Sequence, residues 1–165
     1  MSIDMRILIV SDSHGKNGNI KEIVNRIKQI DLFIHLGDSQ CSNNELETIV
    51  PCPIEIVAGN TDWHSTNPKS KIIELMGLRI FITHGHNHHV KHGSFDDIIK
   101  TARTNNAHIA MFGHTHVPFL DQSKSDIILL NPGSITYPRQ QGYLPSYMIM
   151  EIDSEGIPHF MEAYI

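Results

Sequence analysis

An α/β fold, two packed β-sheets flanked by α-helices, is what this sequence predicts, on three observations. Short apolar runs stop abruptly at polar loops: MRILIV at SDSHG, DLFIHL at GDS and IEIVA at GNTD. An apolar stripe at helical spacing lies between the first two runs. Past Trp63 the rhythm changes to strand-length runs separated by turn residues. The chain has 165 residues, enough for one sizeable core and short for two, and residues 1–165 are read as one domain.

The elements follow in order. Residues 5–10 form a short apolar run and read as a buried strand feeding a polar loop. Asn19, with Glu22 three residues on, matches a capping box. It introduces Ile20, Ile23, Val24 and Ile27, the i, i+3, i+4, i+7 stripe of an amphipathic helix. DLFIHLGD repeats the strand-then-acid pattern, a weaker helix is expected around 44–50, and IEIVAGN gives a third strand. Strands alternating with helices imply βαβ units and a largely parallel sheet. KIIEL and LRIFI then flank Met76-Gly77 as a hairpin. Ser94 is expected to cap a helix carrying Phe95, Ile98, Ile99 and Ala102 on one face. HIAMFGHTH is a further strand ending in histidines, and strands are expected at 117–120, 126–130, 147–152 and 158–163.

Composition narrows the function. A net charge of -5 argues against a broad nucleic-acid groove, which needs a basic face to neutralise phosphates. No run approaches the ~20 apolar residues that span a bilayer, so no membrane partner is expected. The first ten residues are too short an apolar run for a signal peptide, and Cys41 and Cys52 make no disulfide framework; a cytoplasmic location is the default.

Twelve histidines are many for this length, and their placement is what matters. Five apolar runs end in residues of one chemical kind: Asp12 with His14, Asp38, Asn60, His84, and His114 with His116. In α/β sheets the loops beyond the carboxyl ends of strands gather ligands from distant parts of the chain. Each ending alone could be ordinary turn chemistry, but all of them imitating ligands independently is a poor coincidence. Carboxylate, imidazole and amide donors without a thiolate set suit manganese, iron, zinc, nickel or cobalt.

SDSHG, HLGD, AGNTD, THGH and GHTH, in this order, resemble the five blocks of the calcineurin-like metallophosphoesterase superfamily. The short chain, THGH and the later NPGS resemble its small YfcE-like bacterial and archaeal phosphodiesterase branch. The resemblance implies a sandwich of two mixed β-sheets between helical layers. It also implies two divalent ions, manganese first and nickel, iron, zinc or cobalt as alternatives. Asp12, His14 and His116 would hold one ion, Asn60, His84 and His114 the other, with Asp38 bridging. The activity implied is hydrolysis of a small phosphate ester, a diester above a monoester, by a hydroxide shared between two cations ~3.5–4 Å apart. Asp38 and Asn60 would thus be catalytic as well as ligating. The resemblance and the prevalence of symmetric pairs make a homodimer the oligomeric expectation.

One position departs from the family pattern. Where many members carry a histidine after the GN pair, this chain has Thr61 and then Asp62. The leaving-group acid is therefore unassigned, with His86 the candidate, and Asp62 is expected to orient a ligand. Asn131 and Ser134 are candidates for support beside the metals, and Arg139 for a fork to phosphate oxygens. His35, inside an apolar run, reads as a satisfied core histidine, whereas His88, His89 and His92 read as solvated. Trp63 is either core or pocket wall. The competing reading is a protein-binding scaffold of this fold, resembling a retromer subunit, which should have lost ligands.

Overall fold

The computed structural model describes residues 2–165. Two five-stranded mixed sheets face each other. The first has the order β10 (Pro158–Tyr164), β9 (Ser146–Asp153), β1 (Ile3–Val10), β2 (Leu32–His35), β3 (Ile54–Ile56). The second runs β4 (Ser70–Leu75), β5 (Leu78–Thr83), β6 (Ile109–Met111), β8 (Ile128–Pro132), β7 (Pro118–Asp121). β1, β2 and β3 are parallel, as are β5, β6 and β8, while β9, β10, β4 and β7 add antiparallel edges.

Burial on both faces explains why the parallel strands read as continuous apolar runs. Ile7 and Ile9 of β1 point into the core between the sheets with Ile34, Ile80, Ile82 and Met111. Their neighbours Leu8 and Val10 point the other way, onto Ile20, Ile23 and Phe33 beneath α1 (Gly18–Arg26). α2 (Asn43–Ile49) adds Leu46 to that layer. On the opposite side Ile98, Ile99 and Ala102 of α3 (Asp96–Thr104) cover Phe81, Ala110 and Phe112. The order of layers is thus helix, sheet, sheet, helix, as expected for the fold class. Both residues of the hairpin turn, Met76 and Gly77, have positive φ, +48° and +84°, which matches the twist of the flanking strands.

Three local expectations need correction. Asn19 does not cap α1; its amide donates instead to the carbonyl of Ile135 at 2.7 Å, and Asn17 precedes the helix without a side-chain cap. A tertiary acceptor has taken the group that the capping box would use. α3 begins at Asp96 with Phe95 before it, because Phe95 turns inward to pack on Phe112 and Phe119 at 5.1 and 4.7 Å. Ser94 lies one position further out. α2 starts one residue earlier than expected, where the Ser42 hydroxyl accepts the Glu45 N–H at 3.2 Å.

His35 is the satisfied core histidine that the sequence suggested. Its Nδ1 accepts the Gly37 N–H at 3.2 Å, so Nε2 carries the proton and donates to the Ser13 hydroxyl at 2.9 Å. Burial holds the imidazole down to about 4. Unfolded histidine titrates near 6.5, so this neutral ring contributes stability that is complete above that pH. The contribution drains away as pH falls toward 4, and amounts to about 3 kcal/mol. Between pH 6.5 and 4, His35→Asn, which keeps an acceptor for Gly37, is expected to show a shallower fall of unfolding free energy than the wild type in urea titrations; equal slopes would contradict this.

Candidate metal centre

The loops that follow β1, β2, β3, β5 and β6 meet at one end of the sandwich. Backbone bonds zip them together beyond the sheets: Asp12 N–H to the Gly37 carbonyl (3.0 Å), His14 to Asp38 (2.9 Å) and Gly113 to His84 (3.0 Å). Two groups of side chains result. Asp12, His14 and His116 form one, Asp38, His84 and His114 the other, with each group's donor atoms within 4.8 Å of one another. His84 Nε2 lies 3.3 Å from Asp38 Oδ2, and His14 Nε2 lies 3.8 Å from that same oxygen. Asp38 therefore reaches both groups. Asp12 Oδ1 is 3.1 Å from His116 Nε2.

The second atoms of these side chains are occupied, which aims the first ones. His84 Nδ1 donates to the Leu36 carbonyl and His116 Nδ1 to the Tyr137 carbonyl, each at 2.7 Å, leaving both Nε2 lone pairs facing the centre. Asp12 Oδ2 accepts the Ser11 hydroxyl at 2.6 Å and the His114 N–H at 3.0 Å. Asp38 Oδ1 accepts the Thr61 N–H at 2.9 Å. What remains is Asp12 Oδ1 and His14 Nε2, both buried and without hydrogen-bond partners. Buried polar atoms are ordinarily paired. A carboxylate oxygen and an imidazole nitrogen left bare among further imidazoles are the donor set of a divalent cation. The residues fit two such ions.

Protonation states agree with that at Asp12, Asp38, His14 and His114; at His84 burial, which would lower the imidazole, is outweighed by Asp38 and Asp12, which raise it. Burial would raise the Asp12 carboxyl, but the nearby imidazoles of His116 and His84 and the Ser11 hydroxyl outweigh this and hold it below the usual carboxylate range. Asp38 is lowered in the same way, burial being overcome by His84 and the Thr61 N–H. Burial pushes His114 down to about 4, and it lowers His14 too, so both are neutral donors near pH 7.

The local backbone is unusual. Among the described residues ten non-glycine positions have positive φ, and five of them are Asp12, His14, Asp38, His114 and His116. The left-handed region is sparsely used and costs a residue of order 1 kcal/mol. Glycines complete the turns: a Cβ on Gly59 would collide with Asp38 Oδ1, and one on Gly113 with the Ser11 hydroxyl.

A comparison with protein families matches residues 5–155 to the calcineurin-like phosphoesterase superfamily domain. The chain belongs to that superfamily. A probable metallophosphoesterase of Methanothermobacter thermautotrophicus is 34% identical, covering 93% of this chain and 89% of the relative. A phosphodiesterase of Methanocaldococcus jannaschii is 28% identical over 78% of this chain and 83% of its own. Among solved structures, a conserved protein of Streptococcus pneumoniae described as a predicted phosphoesterase superposes with TM-score 0.78 at 28% identity, covering 96% of this chain and 98% of that one. The two mixed sheets and their helices are thus the arrangement of the superfamily.

Most site residues expected from the sequence converge. Asn60 and Arg139 line, with His14, Asp38, His114 and His116, a cavity of about 620 Å³. Asn131 donates to the Gly113 carbonyl and the Thr115 hydroxyl at 2.9 and 3.0 Å, bracing the GHTH turn. The Ser134 hydroxyl donates to the Asp12 carbonyl at 2.9 Å and accepts the Tyr137 N–H at 2.7 Å. Asp62 supports the ligand Asp38 through the backbone and, among the described residues, touches no histidine ring. It accepts the N–H groups of Asp38, Gln40 and Gly59, so it shapes the Asp38 loop, while backbone carbonyls orient the histidines. The His86 ring sits 5.5 and 6.2 Å from those of His84 and His114 and is not part of the cavity lining. His88 is half-buried edge-on against Phe81 at 5.8 Å, a correction to its reading as solvated. His89 is exposed and bonds Asp97 at 2.8 Å.

Sequence reasoning missed Lys91, Tyr137 and Tyr143, which also line the cavity. Lys91 follows the histidine-rich loop that holds His84, a signal that was present but easily taken for surface. Ser134→Ala would leave two N–H groups and the Asp12 carbonyl short of a partner. It is expected to weaken zinc affinity about 10- to 100-fold by competition with a chromogenic chelator; wild-type affinity would contradict this role.

Proposed function

We propose that this protein hydrolyses small phosphate esters, diesters in particular, with two divalent metal ions. The observation that carries the reading is the pair of Asp/His groups in which Asp12 Oδ1 and His14 Nε2 are buried and bare, while Asp38 Oδ2 lies 3.8 Å from His14 and 3.3 Å from His84. Supporting the diester preference is the name of the phosphodiesterase relative. Every ligand position of the family pattern carries a donor here, which a scaffold that had abandoned catalysis would not need to keep.

When bound, the two cations would supply Lewis acidity and make water a nucleophile near neutral pH, with manganese the first choice and nickel, iron, zinc or cobalt able to use the same donors. The chain supplies the rest. Asp12, His14 and His116 would hold one ion, and Asn60, His84 and His114 the other, with Asp38 shared. Only Asp12 and Asp38 bring negative charge, so four neutral imidazoles and the Asn60 amide leave the loaded centre net positive. That attracts an anionic ester and favours charge gathering on its oxygens. Lys91 and Arg139, both on the cavity wall, would take the non-bridging phosphate oxygens. Thr61 occupies the place of a proton donor and has no acid to give, so the chain suits leaving groups that depart as anions.

Asp38→Asn should fold with an unchanged circular dichroism spectrum and lose hydrolysis of bis-p-nitrophenyl phosphate by more than the ~100-fold that disturbing an outer ligand partner costs. Exhaustive chelation should do the same to the wild type. Full activity after either treatment would refute the proposal.

A further inference from the structure

Beside the metal cavity lies a second one, of about 780 Å³, and Thr61 lines both. Their chemistry differs. The first is lined by Asp38, three histidines, Lys91 and Arg139, the second by amides and hydroxyls such as Gln40, Asn43, Asn44, Ser65, Thr66 and Asn67. Among the described residues, no lysine or arginine lines the second cavity. Its one carboxylate, Asp62, already accepts three backbone N–H groups, at 2.7, 2.7 and 2.8 Å. Cys41 and His64 complete the lining, so an anion would find one imidazole and no permanent counter-charge there, and a cation only the engaged Asp62. The space suits a neutral group rich in hydrogen-bonding edges.

Trp63 gives that group a face. It is 83% exposed, unusual for the largest apolar side chain. Yet the indole is fixed, because Nε1–H donates to the Asn60 carbonyl at 2.8 Å. The opposite rim is fixed too: Asn43 and Asn67 exchange two amide hydrogen bonds of 2.9 Å, tying the start of α2 to the loop after Trp63. At the wall between the cavities the Thr61 hydroxyl oxygen is buried without a partner. Preformed walls lose little freedom when a ligand arrives.

We infer that the second cavity is a nucleobase subsite, so that the substrate is a nucleotide phosphodiester with its phosphorus at the metal centre and its base stacked on Trp63. A base offers a π-face to the indole and a planar row of donors and acceptors to the amides, without net charge. A sugar ring alone would also find hydroxyls and amides here, but it would leave the fixed indole without a stacking partner of its own kind. The inference rests on the phosphoesterase reading for the reaction, and on the cavity and Trp63 for the substrate.

Trp63 is the only tryptophan in the chain, so its fluorescence reports this site alone. Titrating the zinc-loaded full chain with adenosine 5′-monophosphate should quench it saturably, and ribose 5-phosphate should not. In parallel, kcat/KM is compared for thymidine 5′-(p-nitrophenyl phosphate) and methyl p-nitrophenyl phosphate, both hydrolysed with release of p-nitrophenol. Trp63→Ala should lower the ratio of the two about tenfold, the scale of losing one base–aromatic stack, and Trp63→Phe should restore most of it. An unchanged ratio in Trp63→Ala, or equal responses to the two phosphates in the titration, would overturn the subsite. If the wild type cleaves neither ester, the phosphoesterase reading fails, and the titration still decides whether a base binds.

Discussion

The carboxylate of Asp12 is buried at the seam between the two sheets, and its two oxygens have different surroundings. Oδ2 takes hydrogen bonds from Ser11, its neighbour just past the end of β1, and from the backbone of His114, which follows β6 in the other sheet. Oδ1 has no hydrogen-bond partner. A half-satisfied ionised carboxylate away from water is costly unless a cation compensates it. Much of the surrounding structure follows from this constraint. Gly113 must be glycine because a side chain there would strike Ser11 and Asp12. Ser134 must reach across to the Asp12 carbonyl to hold the loop that carries it. Histidines at 84 and 116 lie within 3.8 and 3.1 Å of Oδ1, yet each is turned by a backbone carbonyl to present a lone pair.

Left-handed backbone at five of the donor residues is the conformational counterpart of that seam. A strand leaving its sheet in an ordinary extended or helical conformation would carry the next side chains away from the axis between the sheets. Turning sharply at Asp12, Asp38 and His114 keeps them at the strand ends, where both sheets contribute. The resulting strain is offset by the rigidity of the core beneath, by the zipped loop backbones and by Asp62, which holds three N–H groups of the Asp38 and Gly59 turns. With bound metal, the strained loops would also gain ligand bonds that the unfolded chain cannot form.

The architecture and the donor set were legible because they rest on local facts. Strands buried on both faces must be apolar throughout, and each run stops where a turn residue and a donor begin. What was not legible depends on partners distant in sequence. Asn19 looked like a cap because its acceptor, the Ile135 carbonyl, is invisible from its own helix. His88 looked solvated because nothing in the run of histidines shows that the loop folds its ring back onto Phe81 of the preceding strand. Asp62 was recognised as supporting the centre, but its partners are amides rather than a ring, a choice made by the geometry of two adjoining turns. Lys91 and the Trp63 cavity emerge only when loops from different strands are assembled.

The central claim is that the two Asp/His groups hold two ions joined through Asp38. Anomalous diffraction at the manganese edge, from crystals grown with manganese, tests it most directly. Two peaks are expected ~3.5–4 Å apart, one touching Asp12, His14 and His116, the other Asn60, His84 and His114, with Asp38 against both. A single peak, or peaks that leave Asp12 Oδ1 untouched, would contradict the account.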